Sequence, residues 1–204
     1  MKIAWQIYFS RPNKRIVFIL SLLILSITLF SFVYFLTYNE NRKGFVFNDL
    51  VLNSFQPINL SEYIFFITYF FAIYGLIISF KEPTMFVNLL QAYTIMTLVR
   101  MFCMYLVPLE APVSIIPLKD SFLQTCFYSG RENLKDLFFS GHTATIFLFA
   151  FGLKKKVLKL FFAIGACVIG VLVMFQHVHY TIDVMAAPIV SFFAVWFQKK
   201  LKLS

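Results

Sequence analysis

The only three histidines in this 204-residue chain each stand at the edge of a long apolar run. His142 lies in "LKDLFFSGHTATIFLFAF", residues 134 to 151; His177 and His179 lie in "QHVHYTID", residues 176 to 183. An ionisable group at membrane depth is costly, so one found there marks either chemistry or a polar clasp between helices. His179 and Asp183 are spaced i, i+4, which stacks them on one face of a helix beginning near His179. A carboxylate that holds one imidazole nitrogen leaves the other as acceptor or nucleophile, and stabilises the imidazolium formed after attack. His179 is therefore the candidate nucleophile, with Asp183 orienting it. His142, on a separate run, suits a general acid that protonates a leaving group across a reacting phosphorus. Ser140 and Gly141 precede it at a helix N-terminus, where free backbone N–H groups bind phosphate oxygens and glycine allows close approach.

Four further residues are candidate substrate contacts. Arg100 sits about fifteen residues into its run, roughly 22 Å along at 1.5 Å per residue. It either snorkels outward past Cys103 and Met104 or holds a phosphate with its planar fork of donors, and the second use is favoured. Tyr105, one turn further out, can reach a lipid headgroup or Arg100. Asp136 either caps the helix carrying His142 or orients a headgroup, and capping is favoured. His177, two positions from His179, points to a different helical face and reads equally as an interfacial residue or a substrate contact.

The elements that must position these groups are membrane helices. The chain is 60% hydrophobic and only 13% charged, against about a quarter charged in soluble domains. Six runs reach the roughly 17–25 residues that cross a bilayer. They are Ile16 to Thr37, about Tyr63 to Phe80, about Met85 to Leu106, Leu137 to Leu153, about Val157 to Phe175, and His179 to Gln198. No small-residue cleavage site follows the first, which reads as an anchor rather than a signal peptide. The expected fold class is an all-α integral membrane protein, six transmembrane helices in one bundle and one domain, 1–204.

Lysine and arginine placement sets the orientation, because short cytoplasmic loops collect them. With both termini cytoplasmic, the inner side holds Lys2, Arg11, Lys14, Arg15, Lys81, Lys154, Lys155, Lys156, Lys159, Lys199, Lys200 and Lys202, with Glu82 as its only acid. The net charge of +9 is thus mostly a topology signal. It calls for no nucleic-acid partner, which would need a soluble basic domain. All three histidines then fall on the non-cytoplasmic face. Cys103, Cys126 and Cys167 form no metal-type pair. Cys103 and Cys126 fall toward the outer side, where a disulfide is possible, and Cys167 is expected to pack inside the fifth helix. No repeat or linker divides the chain.

These residues resemble a known family. "DLFFSGHT" and "HVHYTID" are similar to the two catalytic motifs of sphingomyelin synthases and their relatives, a branch of the type-2 phosphatidic acid phosphatase superfamily. "RMFCMYLVPLEAP", residues 100 to 112, resembles the arginine–tyrosine–proline motif of that branch. SGHT alone is weakly specific; with HYTxD following, His179 standing 37 residues after His142, it is strongly so. The resemblance covers about residues 84–190 and implies a catalytic triad of His142, His179 and Asp183, a phosphohistidine intermediate on His179, and no metal or other cofactor. Val173 stands where the phosphatase branch has an arginine, and Phe139 where it often has proline; both fit the synthase branch. A single six-helix domain without the extra N-terminal domain of animal synthases is expected, and the Phe, Ile and Lys-rich character suggests a microbial source, hence a bacterial inner membrane.

The expected function is transfer of a phosphorylated headgroup from a phospholipid donor to a ceramide or diacylglycerol-like acceptor. The nearest alternative delivers the same intermediate to water, making a lipid phosphatase or phospholipase C-type hydrolase. A non-enzymatic membrane carrier or subunit is the rival of another class, since intramembrane charges also mark transport paths.

Overall fold

The computed structural model describes residues 1–118 and 133–201. Seven α-helices occur among these residues, and we number them in chain order: α1 Lys2–Phe9, α2 Pro12–Glu40, α3 Ser61–Phe80, α4 Pro83–Leu106, α5 Gly141–Gly152, α6 Lys156–Phe175 and α7 Thr181–Leu201. A short 3-10 turn, Leu52–Ser54, interrupts the loop after α2. The only pairing of extended backbone in the described residues is an isolated bridge between Phe45 and Leu109.

Five of these helices, α2, α3, α4, α6 and α7, are long and apolar enough to cross a membrane. Large apolar side chains stand exposed along them, among them Ile19, Phe30, Phe66, Ile73, Val171 and Ile189. A soluble protein would bury such surface, so the exposed belt fits hydrocarbon as solvent. Only 11% of the most apolar stretch of α2 is buried in the protein, which makes α2 a peripheral span. Proline opens α2 and α4, where its missing N–H costs nothing.

The fourth expected span is shorter than its apolar run. Helix α5 covers 12 residues, about 18 Å at 1.5 Å per residue, instead of Leu137 to Leu153. The chain before it is tied sideways, which holds residues 134–140 out of helical geometry. Asn39 donates to the Lys135 carbonyl at 2.8 Å, the Lys135 N–H donates to Glu40 at 3.0 Å, and Ser140 donates its N–H to the Asp183 carbonyl at 3.2 Å. Helix α5 nevertheless lies at the centre, packed mainly on α6 and α7, with Ala144, Ile146, Leu148, Phe149 and Ala150 all buried. The last helix starts at Thr181 rather than His179.

The loops sort to two ends of the bundle. At one end the segments after α2, after α4 and between α6 and α7 interlock through Asp49, Glu110, Lys135, Gln176 and Tyr180. At the other end Glu82 pairs with Lys154, and Gln198 donates to Asn88 at 2.9 Å and Gln91 at 3.0 Å. The short helix α1, unforeseen from the sequence, packs Trp5 on Phe80 and Phe86 at this second end. Cys167 is exposed on α6 rather than packed inside, because the face of α6 that meets the bundle carries Phe162, Gly165, Ala166, Ile169 and Val173. Cys126 lies outside the described residues, and with it the Cys103–Cys126 pairing.

Candidate active site

The candidate site is assembled from the start of α5, the start of α7 and the C-terminal part of α4. His142 follows the first residue of α5, and its ring lies 6.5 Å, centroid to centroid, from that of His179. Phe65 of α3 meets the His142 ring edge-on at 6.1 Å. His179 Nδ1 stands 3.3 Å from Asp183 Oδ2, with both side chains almost wholly buried.

The His179–Asp183 contact has a different origin from helical stacking. His179 precedes α7, and Asp183 occupies the third helical position. From there the carboxylate reaches back to the Tyr180 N–H at 3.1 Å, as an acidic residue does in a reciprocal helix cap. One oxygen therefore serves both the helix start and the imidazole. With Nδ1 turned to the carboxylate, Nε2 is the nitrogen left to act on a substrate. Asp183 Oδ1 has no hydrogen-bond partner among the described residues.

Arg100 joins this group by packing rather than by snorkelling. A Cβ built on Gly141 would fall on its guanidinium, so the absence of a side chain at Gly141 is what lets the guanidinium lie against the start of α5. Arg100 Nη2 pairs with Asp136 Oδ1 at 2.8 Å, and the guanidinium lies over the Phe32 ring at 5.4 Å. Asp136 thus does not cap α5; it stands five residues before the helix starts and is ion-paired with Arg100. Ser140 precedes the helix fully buried, its hydroxyl donating to Thr143 Oγ1 at 3.0 Å. The first-turn N–H groups of α5 receive no side-chain cap and face the same region as Arg100. Beside two imidazoles, the uncapped N–H groups and the guanidinium, which is paired with Asp136, are donors of the kind that bind an oxyanion.

Two other candidates sit elsewhere. Tyr105 is exposed, and its ring faces the Arg42 guanidinium at 5.0 Å rather than Arg100. His177 is buried at the left-handed φ of 56° that ends α6, sharing a hydrogen bond between Nδ1 and the Ser114 hydroxyl and packing on Phe55. Burial pushes its imidazole below the ordinary histidine range, against the pull of Asp49. It reads as a structural residue of the loop cluster.

The residues that hold the site in place escaped the sequence, because their partners are remote. Asp49 accepts the Thr181 N–H at 2.6 Å and the Thr181 hydroxyl at 3.0 Å, capping α7 from the loop after α2. Tyr180 donates its hydroxyl to the Glu110 carbonyl at 3.0 Å. Glu110 accepts from the Gly44 N–H at 2.8 Å and from Lys135 at 3.0 Å, and these bonds hold its carboxyl below the usual range. Gln176, fully buried, accepts the Leu60 N–H at 2.8 Å and donates to Ser61 at 2.7 Å and to the Ile116 carbonyl at 3.0 Å. No group of three or more His, Cys, Asp or Glu with metal-binding geometry occurs among the described residues.

Comparison with known proteins agrees with this region. Residues 135–200 match the family model described as PAP2 superfamily C-terminal. The matched segment contains His142, His179 and Asp183 and runs through α5, α6 and nearly all of α7. Over about a third of its length the chain is thus similar to the type-2 phosphatidic acid phosphatase superfamily. No curated protein and no solved structure matches.

Proposed function

We propose that the protein is a membrane-embedded lipid phosphotransferase of the sphingomyelin synthase-like kind, working through a phosphohistidine on His179. The observation that carries this reading is the facing of His142 and His179 at 6.5 Å between ring centroids, beside Arg100 and the N-terminus of α5. A phosphodiester phosphate seated there has its oxygens toward Arg100 and the α5 N–H groups, which stabilise charge that grows in the transition state. His179 Nε2 forms a bond to phosphorus while the bond from phosphorus to the diacylglycerol oxygen breaks. Asp183 stabilises the resulting imidazolium through Nδ1, and His142 delivers its proton to the departing oxygen. In the second half His142 takes the proton of the acceptor hydroxyl, the new P–O bond forms, and the N–P bond breaks. No metal step is needed for this balance.

The acceptor is a lipid hydroxyl, ceramide or diacylglycerol-like, reached from the bilayer; the donor is a phospholipid of the phosphocholine or phosphoethanolamine type. The charge asymmetry of the loops supports a site on the non-cytoplasmic face, and the Phe, Ile and Lys-rich composition supports a bacterial inner membrane as its setting. A second reading, water as acceptor, is favoured by the phosphatase superfamily that the 135–200 match names.

Purified protein with headgroup-labelled phosphatidylcholine or phosphatidylethanolamine, with and without ceramide, decides between them by mass spectrometry. A ceramide-dependent new phospholipid, lost in His179→Ala, is expected. Soluble phosphorylated headgroup without a new lipid identifies the hydrolase, and unchanged turnover in a folded His179→Ala protein overturns the mechanism.

A further inference from the structure

A groove at the end of the bundle opposite the histidines has the two-part chemistry of an amphiphile. Its more polar half is a cavity of about 300 Å³ between the start of α4 and the link from α5 to α6, where Thr84, Asn88, Lys154 and Gln198 line it together with Met85 and Leu89. Its apolar half, about 540 Å³, runs between α5, α6 and α7 past Phe151, Leu160, Phe192 and Trp196. Lys159, Val195 and Lys199 line both. The two halves therefore adjoin at a pair of lysines.

The charges at this junction are uncompensated. Lys154 is committed to Glu82, whereas Lys156, Lys159 and Lys199 make no ion pair among the described residues. Lys156 and Lys159 are three apart on α6 and share a face, and Lys199 meets them from the last turn of α7. Lys200 lies over the Trp196 ring at 5.8 Å. A rule that lysines gather at one membrane face accounts for their number, yet it does not require them to converge on one apolar groove. A basic pocket between helices at the membrane surface, continuous with an apolar channel, is the arrangement that binds an acidic lipid headgroup.

We propose that this groove binds an anionic phospholipid of the surrounding leaflet, its phosphate between Lys159 and Lys199 and its acyl chains along Phe192 and Trp196. The site is independent of the chemistry at His142 and His179. It gives the enzyme a lipid bound tightly to α5, α6 and α7, the helices of the matched segment.

The chain has two tryptophans, so Trp5→Phe leaves Trp196 as the only one. That variant, full-length, is reconstituted in phosphatidylcholine vesicles holding equal fractions of either brominated-chain phosphatidylglycerol or brominated-chain phosphatidylcholine. Stronger quenching of Trp196 by the anionic lipid is expected. Lys159→Gln with Lys199→Gln removes that preference, each lysine accounting for roughly a fivefold share. Lys2→Gln with Lys14→Gln retains it, and circular dichroism of both variants matches the parent. Equal quenching by the two lipids in the parent overturns the proposal. So does a preference that survives loss of Lys159 and Lys199, or one lost equally with Lys2 and Lys14, since either makes the attraction general to the surface. Absence of quenching by both lipids, as when a second copy or another protein covers the groove, also overturns it.

Discussion

The carboxylate of Asp49 accepts the backbone N–H of Thr181 at 2.6 Å across 132 positions of sequence, so the loop after α2 caps the helix that carries Asp183. Burial raises the Asp49 pKa, but the bonds from Thr181, Leu52 and Val51 outweigh it and hold the carboxyl below its usual value. A folded pKa below the unfolded value of about 3.9 means stabilisation present above that pH and lost as pH falls through the lower folded value. Asp49→Asn should therefore cost about 1–3 kcal/mol at neutral pH through buried donors left unmet. In thermal unfolding, its gap from the parent should stay constant from about pH 7 to 5 and narrow below about pH 4. A gap that widens in acid would contradict this.

Gly141→Ala places a methyl on the Arg100 guanidinium. Either Arg100 or the start of α5 must shift, and a displacement near 1 Å at a positioned group can cost roughly 100-fold in rate. Headgroup turnover should fall by about that factor while the unfolding temperature changes little. Wild-type turnover in Gly141→Ala would detach Arg100 from the reaction.

Asp183→Asn keeps the shape of the side chain and removes the charge that stabilises an imidazolium at His179. By analogy with other carboxylate–histidine pairs, turnover should drop by roughly 10⁴-fold. His142→Ala, which removes only proton delivery, should cost about 10²–10⁴-fold. With donor labelled on the headgroup phosphate, an acid-labile, base-stable phosphoprotein should disappear in His179→Ala. Its persistence there would move the nucleophile to another residue.

Gln176→Leu leaves the Leu60 N–H, the Ser61 hydroxyl and the Ile116 carbonyl without their buried partner. Each buried orphan costs about 1–3 kcal/mol, so the unfolding temperature should fall markedly. Hydrogen exchange should rise first around residues 58–61 and 114–116 rather than within α5. Uniform acceleration across the bundle would show instead that the loops have no separate stability.

How much of this was legible beforehand follows from the range of each interaction. The apolar runs around α3, α4, α6 and α7 could be read to within about three residues at each end, because crossing hydrocarbon is a local demand on composition. The run around α5 misled, because apolarity cannot report that Asn39, Glu40 and Asp183 bond the preceding chain into an irregular strap. Asp136 misled likewise: proximity in sequence suggested a cap, whereas its partner Arg100 lies on another helix. Tyr105 and His177 share stretches of sequence with Arg100 and His179, yet their side chains go to Arg42 and Ser114.

From the sequence alone came the membrane class, the chemistry-bearing residue types and the grouping of the histidines at one end of the apolar runs. Hydrophobic length and charge bias are properties each segment carries by itself. Only the tertiary structure decided that Gly141 receives Arg100, that Asp49 caps α7 and that Gln176 joins three loops. Those outcomes depend on which buried donors and acceptors meet once the helices pack, and a polar group sealed from water must find its partner wherever in the chain it lies.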